Sequence, residues 1–269
     1  MASGQFGISQ HVPRREDARL LTGGGAYADD TGFEGQLFAA FLRAPIGHGV
    51  ITGIDISEAA AAPGVTSVYV GDDLKTAGVG PIPNVTPFVN RDGSDMSRTQ
   101  RPAVALGKIY HVGEIIAMVV ADSSALAQDA VDLIDLDVDP LPALVDVTKA
   151  QDADAPQLHE HIPNNVCLDF QIGDEAKASA AIDSAAHVVN LTLTTNRLVV
   201  ASMEPRSAAA RFLASANDGA GCYELISGSQ GVNAMRNMLA DVIFQVPHEQ
   251  MRVMTNDVGG GFGMKTQAY

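Results

Sequence analysis

The fold is decided by the stretch from Glu114 to Val138, which reads EIIAMVVADSSALAQDAVDLIDLDV. Its first part, Glu114–Ala121, is apolar from Ile115 onward, which is typical of a buried strand. Ser123 then precedes the alanine-rich segment Ala125–Leu133, and a serine in that position predicts a capped helix. Apolar and acidic residues alternate from Ile134 to Val138 and predict a second strand. The stretch is therefore a strand–helix–strand unit.

The same pattern occurs once more upstream. Gly53–Ile56 leads into the alanine-rich run Glu58–Ala62, Pro63 and Gly64 end that run, and the β-branched residues of Val65–Val70 follow. Proline and glycine stop helices, and β-branched residues favour strands. Two such units within one stretch predict an α+β domain over residues 18–148, preceded by an extension at residues 1–17.

Polar residues and prolines cluster in the next segment, residues 149–163, which we interpret as a linker. Residues 164–269 again combine helical and strand patterns. Patterns of polarity predict helices over Asp174–Ala186 and Val232–Ile243 and strands over His187–Thr195, Ser207–Leu213, Cys222–Ser227 and Arg252–Asn256. We therefore expect a second α+β region in this part of the chain.

Composition excludes several classes of function. With 32 acidic and 17 basic residues, the chain has a net charge of −15, which disfavours nucleic acid and anionic membranes as partners. Only Cys167 and Cys222 occur, too few for a disulfide scaffold or an iron–sulfur cluster held by this chain alone. The longest apolar run, Ile115–Ala121, is far shorter than the roughly 20 residues that span a bilayer. No signal peptide is visible at Met1–Arg15, so we expect a cytoplasmic protein.

The clearest candidate site is the run Gly259-Gly260-Gly261-Phe262-Gly263 after the last predicted strand. Glycines let the backbone approach a ligand closely and direct several N–H groups toward it. A plain turn is the simplest interpretation. A nucleotide-binding P-loop is a second one, because Gly259 is followed after five residues by Lys265 and Thr266, but the fifth of these residues, Met264, stands where that motif has glycine.

Several motifs in register resemble the large subunit of the molybdenum hydroxylases, the family of xanthine dehydrogenase, aldehyde oxidase and carbon monoxide dehydrogenase. Two of them resemble the motifs at the molybdenum site, namely Ser229-Gln230 and Asp257–Lys265. The others, in chain order, are Arg15-Glu16-Asp17, Leu20–Gly23, Tyr27–Asp30, Arg43-Ala44-Pro45, Pro63–Val65, Val112–Glu114, Val119–Ala121, Asp139–Ala143 and Met203–Arg206. The resemblance covers almost the whole chain.

The resemblance implies an N-terminal α/β hammerhead domain at residues 18–148 and the first part of a molybdopterin-binding α+β domain at residues 164–269. Gln230 matches a glutamine whose side-chain amide lies in the second shell of molybdenum, so no residue here is expected to bind the metal directly. The resemblance implies that Gln230 binds the cofactor together with the loop residues Gly260, Gly261, Phe262 and Gly263. Glu204 is expected to be a structural carboxylate paired with an arginine such as Arg206 or Arg211.

The implied function is oxidation of an aldehyde, an N-heterocycle or carbon monoxide with oxygen from water. The implied cofactor is a molybdenum–pterin group, either molybdopterin or its cytosine dinucleotide. The family's catalytic glutamate base matches no residue here, and we expect it outside this chain. Iron–sulfur and FAD subunits are implied as partners, together with a companion chain that completes the pterin site. We accordingly expect apolar surface to be exposed within Cys167–Tyr269. A non-catalytic truncated or scaffold protein of the same fold is the alternative, and a P-loop nucleotide hydrolase is a second one.

Overall fold

The structure is a computed structural model, and it describes residues 13–84 and 86–268. The first twelve residues of the predicted N-terminal extension lie outside the described residues. The helices are α1 Asp17–Leu20, α2 Ser57–Ala61, α3 Gly71–Thr76, α4 Ser124–Val131, α5 Glu175–Asp183 and α6 Val232–Met238. The strands are β1 Phe38–Arg43, β2 Gly49–Asp55, β3 Val65–Val70, β4 Lys108–Ile109, β5 Ile115–Ala121, β6 Asp135–Pro140, β7 Ala208–Leu213, β8 Cys222–Ser227 and β9 Met251–Met254.

The larger of two compact units contains residues 34–199, 237–248 and 268. One antiparallel sheet has the strand order β1-β5-β3, and a second has the order β4-β2-β6. Ala117, Val119 and Ala121 of β5 share one face, and they form a fully buried core with Ala127 of α4. Ile116 points to the opposite face, into a second core. Since β5 is buried on both faces, its sequence is a continuous apolar run rather than an alternation.

Helix α4, in the stretch from Glu114 to Val138, begins as predicted. The Ser123 hydroxyl accepts a hydrogen bond from the Leu126 amide at 3.3 Å, which satisfies one of the free N–H groups of the first turn of α4. Both strand–helix–strand units predicted from the sequence are confirmed, with ends that differ by a few residues. The mixed content of helices and strands also confirms the α+β fold class.

The smaller unit contains residues 13–33, 200–236 and 249–267. Its sheet has the order β7-β8-β9, with β7 antiparallel and β9 parallel to β8. Glu224 is buried in this sheet and binds Arg211 at 2.6 Å and Arg252 at 3.1 Å. The two arginines lie on β7 and β9, so the carboxylate ties both outer strands to the central one.

Two predictions for the second half need correction. His187–Thr195 is not a strand: among the described residues no strand pairs with it, and alternating residues form a strand only where a partner takes up their backbone hydrogen bonds. The helix predicted over Val232–Ile243 is α-helical only to Met238, after which a wider π-type turn covers Leu239–Ile243. That turn changes the helical spacing, so Val242 of the predicted apolar face is exposed.

The predicted exposure of apolar surface within Cys167–Tyr269 is confirmed. The Val189 side chain is 90% exposed. Further apolar side chains are exposed to a similar extent, namely Ile172, Leu191, Leu193, Leu198, Val199 and Met203. Exposed apolar stretches of this extent are uncommon on soluble monomers and mark interaction surfaces. Within the described residues, no helix is long and apolar enough to cross a membrane.

Candidate functional site

The candidate site is formed by the glycine loop, which we define as Asp257–Lys265, directly after β9. Gly260 and Gly263 have φ angles of +104° and +87°, which favour glycine because a Cβ atom would be strained there. Phe262 has a φ of +47°, uncommon for a residue with a side chain. Since such a backbone persists only where its surroundings hold it, the contacts of the loop identify what determines its shape.

A buried ion pair anchors the end of the loop. The Lys265 ammonium Nζ lies 2.6 Å from Glu204 Oε2 and donates to the Glu204 carbonyl oxygen at 3.0 Å. Lys265 is 2% exposed and Glu204 8%. The Glu204 carboxylate also accepts hydrogen bonds from the amides of Gly259, at 2.8 Å, and Ala28, at 3.3 Å. Burial raises the pKa of Glu204, but these donors outweigh it, so the pKa lies below its ordinary value.

The Glu204 prediction is therefore correct about a structural, ion-paired carboxylate and wrong about its partner. The partner cation is Lys265, and Arg211 binds Glu224 instead. Sequence reasoning missed Lys265 as a site residue. The same geometry also removes the P-loop interpretation, because a P-loop lysine must reach phosphate oxygens and this one is buried against a carboxylate. Residues Met264–Thr266 form a short 3-10 turn rather than the start of an α-helix.

Gln230 connects the start of α6 to the loop. Its side-chain oxygen Oε1 accepts hydrogen bonds from the amides of Gly263 at 2.9 Å and Lys265 at 3.2 Å, and its own backbone amide donates to the Lys265 carbonyl at 2.9 Å. Two N–H donors on one atom identify that atom as the oxygen. In the part of the chain that the structure describes, the amide nitrogen Nε2 has no acceptor. Gln230 is exposed, so this nitrogen can donate outward.

The loop is packed so closely that two of its glycines have no room for a side chain. A Cβ atom on Gly259 would lie 2.5 Å from Glu204 Cβ, and one on Gly261 would lie 2.4 Å from Gln230 Cδ. Phe262 lies over Gly260, where an added Cβ would approach its ring to 2.9 Å. The Phe262 side chain is itself 75% exposed, so it is not a core residue. The structure thus brings Gln230, Gly261 and Gly263 into contact and leaves Phe262 at the surface beside them.

Replacing Gly261 with alanine is expected to lower the free energy of unfolding by about 1–2 kcal/mol, because Gln230 must move away and release the two loop amides. Urea unfolding followed by circular dichroism measures this loss. Gly231→Ala is the matched control, since an added Cβ there meets only the Ala234 Cβ, at 3.8 Å. Equal stability of the two variants would show that the contact between Gly261 and Gln230 does not constrain the loop.

The first residue of the loop is fixed by the N-terminal segment. Asp257 accepts two hydrogen bonds from the Arg19 guanidinium, at 2.6 and 2.7 Å, and one from the Ala26 amide at 2.8 Å. Arg19 also donates to the Gly24 carbonyl at 2.8 Å. The bond from Arg19, together with that from Ala26, lowers the pKa of Asp257 from 3.8 to about 2. This contact, which sequence reasoning also missed, joins residues 238 positions apart.

Arg19→Gln is expected to return the pKa of Asp257 toward 3.8, as measured by NMR titration of its carboxyl carbon. A carboxylate with a lowered folded pKa stabilises the fold above its unfolded pKa and loses that effect as the pH falls through the folded value. The wild-type chain should therefore be more stable than the variant at pH 7, and the difference should shrink between about pH 4 and pH 2. A stability difference that does not change with pH would contradict the ion pair.

Comparison with known proteins agrees with this arrangement of motifs. The family model described as "Aldehyde oxidase and xanthine dehydrogenase, a/b hammerhead domain" matches residues 22–142. A second, "Molybdopterin cofactor-binding domain", matches residues 158–269 and so includes Gln230 and the glycine loop. The chain belongs to the molybdenum hydroxylase family. The resemblance read from the motifs, and the order of a hammerhead region followed by a molybdopterin-binding region, are thereby confirmed.

Similar proteins are large subunits of this family. The chain is 32% identical over 264 residues to the nicotine 6-hydroxylase large subunit of Paenarthrobacter nicotinovorans, covering 97% of the chain and 30% of that protein. It is 31% identical to the carbon monoxide dehydrogenase large chain of Afipia carboxidovorans, covering 95% and 31%. The crystal structure of quinoline 2-oxidoreductase from Pseudomonas putida 86 superposes with a TM-score of 0.83 at 34% identity, covering 94% and 31%. The chain thus spans about a third of the length of these relatives.

Proposed function

We propose that this chain is the front part of the molybdenum-cofactor-binding large subunit of a molybdenum hydroxylase that oxidises an aldehyde, an N-heterocycle or carbon monoxide. One observation carries the proposal. Gln230 uses its carbonyl oxygen to hold the glycine loop, and its amide nitrogen has no acceptor within the described residues. A hydrogen-bond donor is thereby left unused beside the loop, and it would serve as a second-shell contact of a cofactor held there.

The residues present fit a molybdenum–pterin group. Gly260 and Gly263 have left-handed backbone conformations and carry no side chain that would block a ligand, and Gly261 keeps the approach to Gln230 free of a side chain. The buried pair of Glu204 and Lys265 holds both ends of the loop in place. When bound, the cofactor would supply the redox chemistry of substrate hydroxylation, and these residues would fix its orientation. In this proposal the cofactor is molybdopterin or its cytosine dinucleotide, held by Gln230, Gly260, Gly261, Phe262 and Gly263.

The rest of the site is proposed to come from outside residues 1–269, either from a companion chain or from a longer form of the same polypeptide. The apolar side chains exposed between residues 187 and 203 support this, since such a surface is stabilised when another part of a fold covers it. The catalytic glutamate base would lie there, and the chain alone would be inactive. Iron–sulfur and FAD subunits are proposed as electron-transfer partners in a cytoplasmic complex.

Metal analysis tests the proposal against the alternative of a non-catalytic protein with the same fold. The chain is purified together with the products of the adjoining genes, and molybdenum is measured by mass spectrometry as moles of metal per mole of chain. The proposal predicts a near-stoichiometric amount that is lost when the pterin is extracted. A complex that contains iron–sulfur and flavin subunits but no molybdenum would favour the scaffold alternative.

A further inference from the structure

A row of aromatic rings lies in the larger unit, apart from the glycine loop in the sequence. The Tyr110 and His159 rings stack with centroids 4.4 Å apart and an angle of 18° between their planes. His48 and His161 flank this pair, each at 5.9 Å. Since the pair is flanked in this way, the ring edges remain for a further aromatic molecule, and an edge-to-face contact is a geometry that aromatic pairs favour. Three separate segments of the chain supply these rings, so the row is a product of the fold.

The two outer rings are held by hydrogen bonds to backbone carbonyls, and the Tyr110 backbone is held by a carboxylate. His48 Nδ1 lies 2.9 Å from the Pro142 carbonyl oxygen, which requires the proton on that nitrogen. The Tyr110 amide donates to Glu114 Oε2 at 2.7 Å, and His161 Nε2 lies 3.1 Å from the Arg98 carbonyl oxygen. A surface fixed in this way loses little conformational entropy when a ligand binds to it.

The row borders a cavity of about 800 Å³, a volume within the range of small-molecule sites. Tyr110, His159 and His161 line it together with apolar side chains, among them Leu74 and Val104. A mostly apolar wall with a few polar groups is the usual composition of a site for an organic ligand.

The charged groups at the cavity are mainly positive. Lys75, Arg98 and Lys108 line it, and the acidic group of the lining is Glu114. Lys108 is paired with Glu160 at 2.7 Å, whereas in the described part of the chain neither Lys75 nor Arg98 forms an ion pair. Burial lowers the pKa of His159, and the neighbouring His161, His48 and Lys108 lower it further, as expected at a site of positive potential. In a chain with a net charge of −15 this local excess of cations stands out.

We propose that the cavity binds a planar aromatic carboxylate, with its ring against the Tyr110–His159 pair and its carboxylate toward Lys75 and Arg98. The stack recognises the flat apolar part of such a molecule, and the cations recognise its charge. The proposal does not rest on the proposed molybdenum function, and it can be tested on the chain without cofactor.

The test is calorimetric titration of the purified full chain with 2-naphthoate and, as its neutral counterpart, 2-naphthamide. The proposal predicts saturable binding of 2-naphthoate that is about tenfold tighter than binding of the amide, the difference expected for one charge-assisted hydrogen bond. The preference should decline as salt is added, because the lysine and arginine are partly solvated. Equal affinity for the two probes, or no saturable binding at millimolar concentrations, would overturn the proposal.

Variants locate the binding. Lys75→Ala combined with Arg98→Gln is expected to remove the preference for 2-naphthoate, whereas Lys177→Ala, an exposed lysine on α5, should leave it unchanged. Tyr110→Leu should lower the affinity for both probes about fivefold, because the aromatic contact with the probe is lost. If that variant does not fold by circular dichroism, His159→Leu replaces it with the same expectation. Tight binding that none of these variants changes would place the probe on the exposed apolar surface and contradict the proposal.

Discussion

Replacing Lys265 with methionine is expected to lower the free energy of unfolding by about 3 kcal/mol, because it leaves the Glu204 carboxylate buried without its cation. The two groups lie 2.6 Å apart. Methionine retains much of the length and the apolar stem of lysine, so the loss reflects the charge rather than a cavity. Urea unfolding followed by circular dichroism measures the change. Lys177→Met, which removes an exposed lysine, is the matched control and should change stability by less than about 0.5 kcal/mol.

Two further results distinguish the buried ion pair from a general packing defect. Without the ammonium group the pKa of Glu204 should rise, so the variant recovers stability relative to wild type as the pH falls and the carboxyl takes up a proton. The double variant Lys265→Met with Glu204→Gln should recover part of the lost free energy of unfolding, because it removes the unpaired charge. A defect that neither acid nor the second substitution reduces would mean that Lys265 stabilises the loop through packing alone.

The local parts of the fold could be predicted from the sequence. The strand β5 and the helix α4 are encoded within one short stretch, where an apolar run, the Ser123 cap and an alanine-rich segment all favour the same structure. The glycine run predicted a backbone that other groups can approach closely, and Glu204 and Gln230 do lie too near Gly259 and Gly261 to leave room for a side chain. These features could be predicted because each depends only on residues that are adjacent in the sequence.

Two of the wrong predictions, the strand at His187–Thr195 and the partner of Glu204, share a physical cause, since each depends on a partner far away in the sequence. His187–Thr195 alternates as a strand does, but the pattern does not reveal whether a strand lies beside it. The cation that meets Glu204 is 61 residues away, and Arg211, only seven residues from Glu204, is taken by Glu224. The available signal for the pair was that Glu204 and Lys265 each lie in a family motif, one containing proline and the other glycines. The sequence alone could not rank Lys265 above the arginines.

Gln230→Glu is expected to reduce the molybdenum content of the assembled complex by more than about tenfold while leaving the glycine loop ordered, a loss typical of changes to second-shell donors. The glutamate oxygens still accept from the Gly263 and Lys265 amides, which Gln230 Oε1 does at 2.9 and 3.2 Å. What disappears is the outward N–H donor, and a negative charge takes its place. Metal analysis measures the first effect, and hydrogen exchange of the two loop amides measures the second.

Gln230→Ala separates these two roles of the side chain. It removes both the acceptor and the donor, so the Gly263 and Lys265 amides should exchange faster and the molybdenum should be lost as well. Gln128→Glu, an exposed substitution of the same chemistry on α4, should change neither quantity. If Gln230→Glu keeps its molybdenum, the outward nitrogen is not a cofactor contact, and the contact between the loop and the glutamine serves only the fold. If it loses both metal and loop protection, Gln230 acts through the loop, because a pure donor would affect the metal alone.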